Sequence, residues 1–281
     1  GLLLLRPGSP TGLLHHLSRD GVLSCRIVVL HATKDEDRGG GRMSTFLSLF
    51  SSQFFLLALL AGSLVGIVCG LVGTVLVLRG ELFSADAISH VAFTGALAAF
   101  LLGLSTGAGL VISCVACSVG LELLAKRTPR TDAVIGTSFA WILGVGTLLL
   151  SLIAATGKGS GGATSTAVLF GSLFTISPST VTFTVVAAGI VTLGMVILGR
   201  PLIFSSIDRP VAIAKGVRVE VLAYGFASLV GLAAALAVQS VGALLFIGLL
   251  AAPAGAALKL TRSPFTAMGI SVAIAVGCVL V

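Results

Sequence analysis

Eight apolar segments of near-bilayer length follow one another along this chain, and that repetition leaves few folds open. They run roughly over 54–78, 87–104, 106–125, 133–155, 179–199, 219–238, 241–258 and 265–281. About 20 predominantly apolar residues are needed for a helix to cross the hydrocarbon core. A helix also pairs its own backbone N–H and C=O groups, which lipid cannot do for it. Hydrophobic residues make up 56% of the chain and charged residues 10%, whereas a soluble domain carries roughly a quarter charged residues. The expected fold is all-α, a polytopic transmembrane helical bundle.

The net charge of +7 does not point to nucleic acid, because Lys and Arg gather on the cytoplasmic side of membrane proteins. From Met43 onward there are eleven basic residues, and ten of them fall in alternate loops. Arg79 follows the first segment; Lys126, Arg127 and Arg130 the third; Arg200, Arg209, Lys215 and Arg218 the fifth; Lys259 and Arg262 the seventh. Only Lys158 lies opposite. That regularity supports the segment count, sets the ten in the cytoplasm and puts Met43 outside.

The two ends differ from the rest. Residues 1–42 hold six of the 17 basic residues, four of the ten acids and three of the four histidines. "GLLLLRPGSP" is too short to span and lacks a signal-peptide layout. The expectation is that 1–42 is a mis-called or foreign extension, or a flexible tail, ahead of a transmembrane domain over 43–281. "SVAIAVGCVLV" breaks off inside an apolar run, as a chain truncated at its C-terminus would.

Several features read as packing. Gly62, Gly66 and Gly70 recur every four residues and form one smooth helical stripe, which lets another helix approach closely. Pro253 in "LLAAPAGAAL" is expected to bend the seventh segment or free a carbonyl. Cys114 and Cys117 share a helix face, open to a soft metal or to plain packing. The loop "TGKGSGGATST" over 156–166 reads as external, either a linker or a docking surface.

The chemistry concentrates in "ADAISHVAFTG", residues 85–95. After Met43, His90 is the only histidine. Asp86 lies one helical turn before it and Thr94 one turn after, all on one face. Ionisable groups within a span are expensive and usually face a cavity or a partner. A carboxylate with an imidazole suits zinc, manganese or ferrous iron. Two ligands are too few for a zinc, which typically takes four. A two-fold pair of chains would double them around one point, and partial hydration would serve a site that must release its ion. The other reading has Asp86 capping a helix that starts at Ala87, with His90 in a buried hydrogen bond.

"LRGELFSADAISHVAFTGALAAFLLG" (78–103) resembles the signature region of permease subunits of zinc/manganese ABC importers, approximately L-R-x-M-x-L-x-G-D-A-x-S-H-A-x-L-P-G. Four further blocks are similar to that family in the same order: "TDAVIGTSFAWILGVGTLLLS" (131–151), "VLFGSLFTIS" (168–177), "IDRPVAIAKGVRVEVLAY" (207–224) and "QSVGALLFIGLLAAPAGAALKL" (239–260). The resemblance implies a type II ABC importer permease in a bacterial plasma membrane, working as a homodimer. It also implies cytoplasmic ABC ATPase subunits and an extracellular metal-binding protein as partners, with zinc or manganese as cargo and no resident cofactor. It maps metal coordination onto Asp86 and His90, the adjoining pathway onto Thr94 and Gly95, and ATPase coupling onto Ala212, Ala214, Lys215 and Gly216. This sequence departs from the pattern twice: the glycine before the aspartate is Ala85, and Leu-Pro-Gly is Phe93-Thr94-Gly95, without the proline.

Rival functions are weaker. The sequence has no G-x-x-x-x-G-K-[ST] phosphate loop, so the chain is not itself an ATPase. A secondary transporter would place coupling acids near mid-span, whereas the acids here mostly flank the spans. An intramembrane metalloprotease needs H-E-x-x-H or a comparable set, which one histidine cannot supply. A chelate importer would need a wide pathway and no direct ligands.

Overall fold

The computed structural model describes residues 53–127, 131–155, 178–216, 218–261 and 263–280. The 1–42 extension and the 156–166 loop lie outside them. Nine helices and no strand are found among the described residues. They are α1 Gln53–Arg79, α2 Leu82–Leu101, α3 Thr106–Arg127, α4 Thr131–Ala155, α5 Pro178–Ile207, α6 Arg209–Ala214, α7 Val219–Ser240, α8 Ala243–Leu260 and α9 Pro264–Leu280. Seven are long and apolar enough to cross a membrane, and α9, at 17 residues, is a shorter apolar helix. The eight apolar segments of the sequence thus correspond to α1–α5 and α7–α9.

The boundaries follow from local chemistry. Gly103 adopts φ 71° and lets the chain turn within four residues between α2 and α3, a conformation that costs an L-residue about 1–2 kcal/mol. α2 begins at Leu82, not Ala87; its N-cap is Glu81, and no side chain caps it. Asp86 therefore lies inside the helix, and the reading in which it caps a helix starting at Ala87 is overturned. α5 runs eight residues beyond the apolar stretch, through Arg200 and Pro201. Buried Leu202 and Ile203 continue its packed face past the proline, and a proline within a membrane helix is tolerated where neighbours re-satisfy the backbone.

α7 is the central helix. Phe226, Val230 and the run Ala233–Val238 are buried, and α7 packs on α3, α5, α2 and α8. α2 packs on α3, α4, α7 and α8. α4 packs on α2 and α3, and Trp141 on its outer side is 74% exposed.

The glycine stripe of α1 is where α9 approaches. A Cβ on Gly70 would stand 2.6 Å from the Val272 Cα, and one on Gly66 3.2 Å from the Val276 Cα. Backbone cannot move aside as a side-chain tip can. Gly70→Leu is expected to destabilise the protein by about 1–3 kcal/mol, the range for overpacking, whereas Gly144→Leu, where nothing lies within 4 Å, serves as the neutral control. Thermal unfolding in detergent checks this; equal midpoints for the two variants would show that the close approach does not matter.

Candidate metal-translocation site

Asp86 and His90 project from one side of α2, about 6 and 12 Å along the helix from Leu82 at 1.5 Å per residue. With α2 entering from the cytoplasmic side, as the basic loops dictate, the pair lies in the inner half of a hydrocarbon core about 30 Å thick. His90 Nε2 stands 3.8 Å from Asp86 Oδ1. That is too long for a hydrogen bond, so neither atom is tied to the other. Two ligands each about 2.1 Å from one metal stand at most about 4.2 Å apart. The Nε2–Oδ1 separation is within that limit. Asp86 is 35% exposed and His90 22%.

The neighbours fix this arrangement. Ser89 Oγ donates to the Asp86 carbonyl oxygen at 2.7 Å, which ties the hydroxyl to the helix and leaves the carboxylate free of it. The His90 ring meets Phe139 of α4 edge-on, with centroids 5.2 Å apart and planes at 67°. Thr94 Oγ1 donates to the Ile142 carbonyl oxygen of α4 at 3.1 Å. Gly95, the next residue, turns away: a Cβ there would run into Ser113 and the Gly109 carbonyl of α3. Asp86, His90 and Thr94 thus share the side of α2 on which α4 lies, whereas Gly95 serves the α2–α3 contact. Ala85 is fully buried. Cys114 is buried, its thiol 3.8 Å from the Ile88 carbonyl oxygen, and Cys117 lines a groove between α3 and α4. No cluster of three or more His, Cys, Asp or Glu occurs among the described residues, so Asp86 and His90 stand as a pair.

The second candidate set lies elsewhere, on α6, which packs on α5 and α7. The sequence carries its signals: Asp208 Oδ1 accepts from the Val211 N–H at 3.1 Å, Pro210 occupies the first turn, and Gly216 follows at φ 79°. Ala212 is buried, and Ala214, Lys215 and Gly216 are exposed. Val211 and Ile213 are also exposed, as are Asp208, Pro210 and Arg218.

A polar cavity of about 510 Å³ opens at the cytoplasmic ends of α1, α3, α5 and α7, lined by Arg79, Glu81, Glu122, Lys126, Ser205 and Ser206. Its walls include the residues just before and just after the α6 loop. Arg79 Nη1 is 3.7 Å from Glu81 Oε2, and its guanidinium lies over the Phe226 ring. Burial pushes the Glu81 carboxyl above its ordinary range, Arg79 pulls it down, and Glu122 pushes it up, for a net rise. A carboxyl raised by folding is stabilising while protonated, and that contribution is lost as pH rises through the folded value. Glu81→Gln is therefore expected to melt no lower than wild type at pH 7, with the gap closing below pH 5. Unfolding midpoints from pH 4.5 to 8 check it; a variant that melts lower at pH 7 contradicts this.

The fold and these two sites define a class: a multi-pass helical membrane permease, with an Asp–His pair inside a span and an exposed short helix between two spans. The sequence pattern of the ABC 3 transport family matches residues 51–281, and the chain belongs to that family. It is 31% identical over 218 residues to the manganese transport system membrane protein MntC of Halalkalibacterium halodurans, covering 77% of this chain and 73% of that one. It is 30% identical over 215 residues to the chelated iron transport system membrane protein YfeD of Yersinia pestis, covering 76% and 70%. Among solved structures, PsaBC from Streptococcus pneumoniae in complex with Fab superposes with a TM-score of 0.71 at 26% identity, over 84% of this chain and 83% of that one. The resemblance to permeases of metal ABC importers is borne out, and with it the location in a bacterial membrane.

Sequence reasoning missed three residues beside the pair: Phe139, Ile142 and Gly146. All are on α4, about fifty residues from α2, and none carries a signature of its own. The block 131–151 stood out by resemblance alone.

Proposed function

We infer that this chain forms, as a homodimer, the translocation pathway of an ATP-driven importer of a bare divalent cation, Mn²⁺ first and Fe²⁺ or Zn²⁺ next. The observation that carries the reading is the Asp86–His90 pair: two unbonded ligand atoms, spaced to share one ion, inside a membrane helix. Two copies related by a two-fold axis supply two carboxylates and two imidazoles, and water completes the shell. The borderline N/O donor set suits Mn²⁺, Fe²⁺ and Zn²⁺ over softer ions, and relatives named for manganese and iron agree with it.

The path runs in steps. An extracellular binding protein delivers the ion, and Asp86 and His90 replace part of its hydration. Cytoplasmic ATPase subunits grip α6 and switch the pathway to its inward opening. Val211 and Ile213 are apolar side chains exposed on a cytoplasmic loop, where no lipid covers them, and flanking Lys215 and Arg218 favour an acidic partner surface. The deciding measurement is uptake of Mn²⁺, Fe²⁺ and Zn²⁺, metal by metal, in cells lacking this chain and in cells given it back with its partners. Unchanged accumulation of all three metals on deletion would sink the reading.

A further inference from the structure

Two independent contacts bring α4 onto the metal pair. At the level of His90, the Phe139 ring packs edge-on against the imidazole. One turn further along both helices, Thr94 Oγ1 donates to the Ile142 carbonyl oxygen at 3.1 Å. Gly146 makes room for this second contact: a Cβ there would stand 2.7 Å from Thr94 Oγ1 and 3.1 Å from the Phe93 ring. The carbonyl of Ile142 is also the regular helical acceptor for the Gly146 N–H. The hydroxyl therefore sits on a turn of α4 whose side-chain surface is missing. Beyond these contacts, α4 packs on α2 and α3, and its outer side is exposed at Trp141. A proline at 94, as in the family pattern, has no hydroxyl and cannot make this bond.

We propose that Phe139 is a positioning residue for the His90 imidazole, and that the Thr94 hydroxyl, bonded to the Ile142 carbonyl over Gly146, latches α4 where Phe139 can act. This rests on the reading of Asp86 and His90 as ligands of the transported ion. On a helix, where the third well clashes with the preceding turn, an imidazole with no wall beside it spreads over two staggered χ1 wells. Held in the one that keeps Nε2 toward Asp86, it loses nothing further when an ion arrives. Removal of the ring is expected to weaken capture about twofold per imidazole, and about fourfold where two copies share the ion.

The experiment is Mn²⁺ uptake kinetics in cells carrying the whole uptake system. Phe139→Ala should raise the half-saturating Mn²⁺ concentration about two- to fourfold, with the maximal rate close to that of wild type; Phe139→Tyr should restore it. Thr94→Val, equal in shape without the donor, should shift it in the same direction, and Thr94→Val with Phe139→Ala should be no worse than Phe139→Ala alone. If Phe139→Ala fails to accumulate in the membrane, Phe139→Leu is read in its place. An unchanged half-saturating concentration, or a fall in maximal rate alone, overturns the proposal. His90→Ala in the same cells separates the two ideas: if that variant transports normally, the ligand assignment fails, and if only the Phe139 variants are silent, the positioning role fails by itself.

Discussion

Cells carrying His90→Ala are expected to lose metal uptake by at least about 100-fold while the permease still reaches the membrane and assembles. Substitutions one shell removed from a metal already cost 10–100-fold, and this one deletes a ligand from each copy of the chain. The fold should survive it. His90 is partly exposed, and its named contacts are Asp86 at 3.8 Å and the edge of Phe139; no buried hydrogen bond of its ring is broken. The loss should therefore appear in transport and not in abundance. Asp86→Asn, which keeps shape and drops the charge, is expected to act in the same direction. Uptake by His90→Ala at the wild-type rate, with Asp86→Asn equally active, would remove the pair from the pathway.

The second large effect is expected at Gly216. Its φ of 79° closes α6, with the Gly216 N–H on the Ile213 carbonyl at 2.9 Å and the Lys215 N–H on the Val211 carbonyl at 3.1 Å. Nothing lies within 4 Å of where a Cβ would be, so a side chain meets no clash. The penalty is purely that of a left-handed backbone, about 1–2 kcal/mol for most residues and worse for β-branched ones. Gly216→Val should therefore re-aim α6 and reduce uptake about tenfold, the factor that corresponds to about 1.4 kcal/mol. ATP hydrolysis by the reconstituted complex should persist without delivered metal. Gly216→Asn, which tolerates this conformation, should be mild. If hydrolysis in Gly216→Val still waits for the metal-loaded binding protein, α6 is not the coupling element.

The long helices were readable because hydropathy over twenty residues averages out local irregularity. The sequence-derived spans agree with α1, α3, α4, α7, α8 and α9 to within two residues at each end. The discrepancies arise where charge or proline was taken as a boundary. Glu81 and Asp86 made the start of α2 look like loop, yet the helix runs straight through Asp86. Arg200-Pro201 looked like the end of α5, yet buried Leu202 and Ile203 carry it on to Ile207. α6 has six residues, too few to show a period, and only its Asp208 cap, Pro210 and Gly216 mark it. The Asp86–His90 pair was legible because ionisable groups are rare in a span. Its α4 wall was not, since Phe139 and Gly146 look like any other lipid-phase residues until tertiary packing brings them to α2.

The reach of α5 has a mechanical consequence. Thirty residues make a rod about 45 Å long, roughly 15 Å more than the oily layer is thick. The excess carries α5 beyond the hydrocarbon, and α6 follows directly at its end. The one joint in that rod is Pro201, which leaves the Ile197 carbonyl without its usual donor, so any flexing is concentrated there, six residues from the tip.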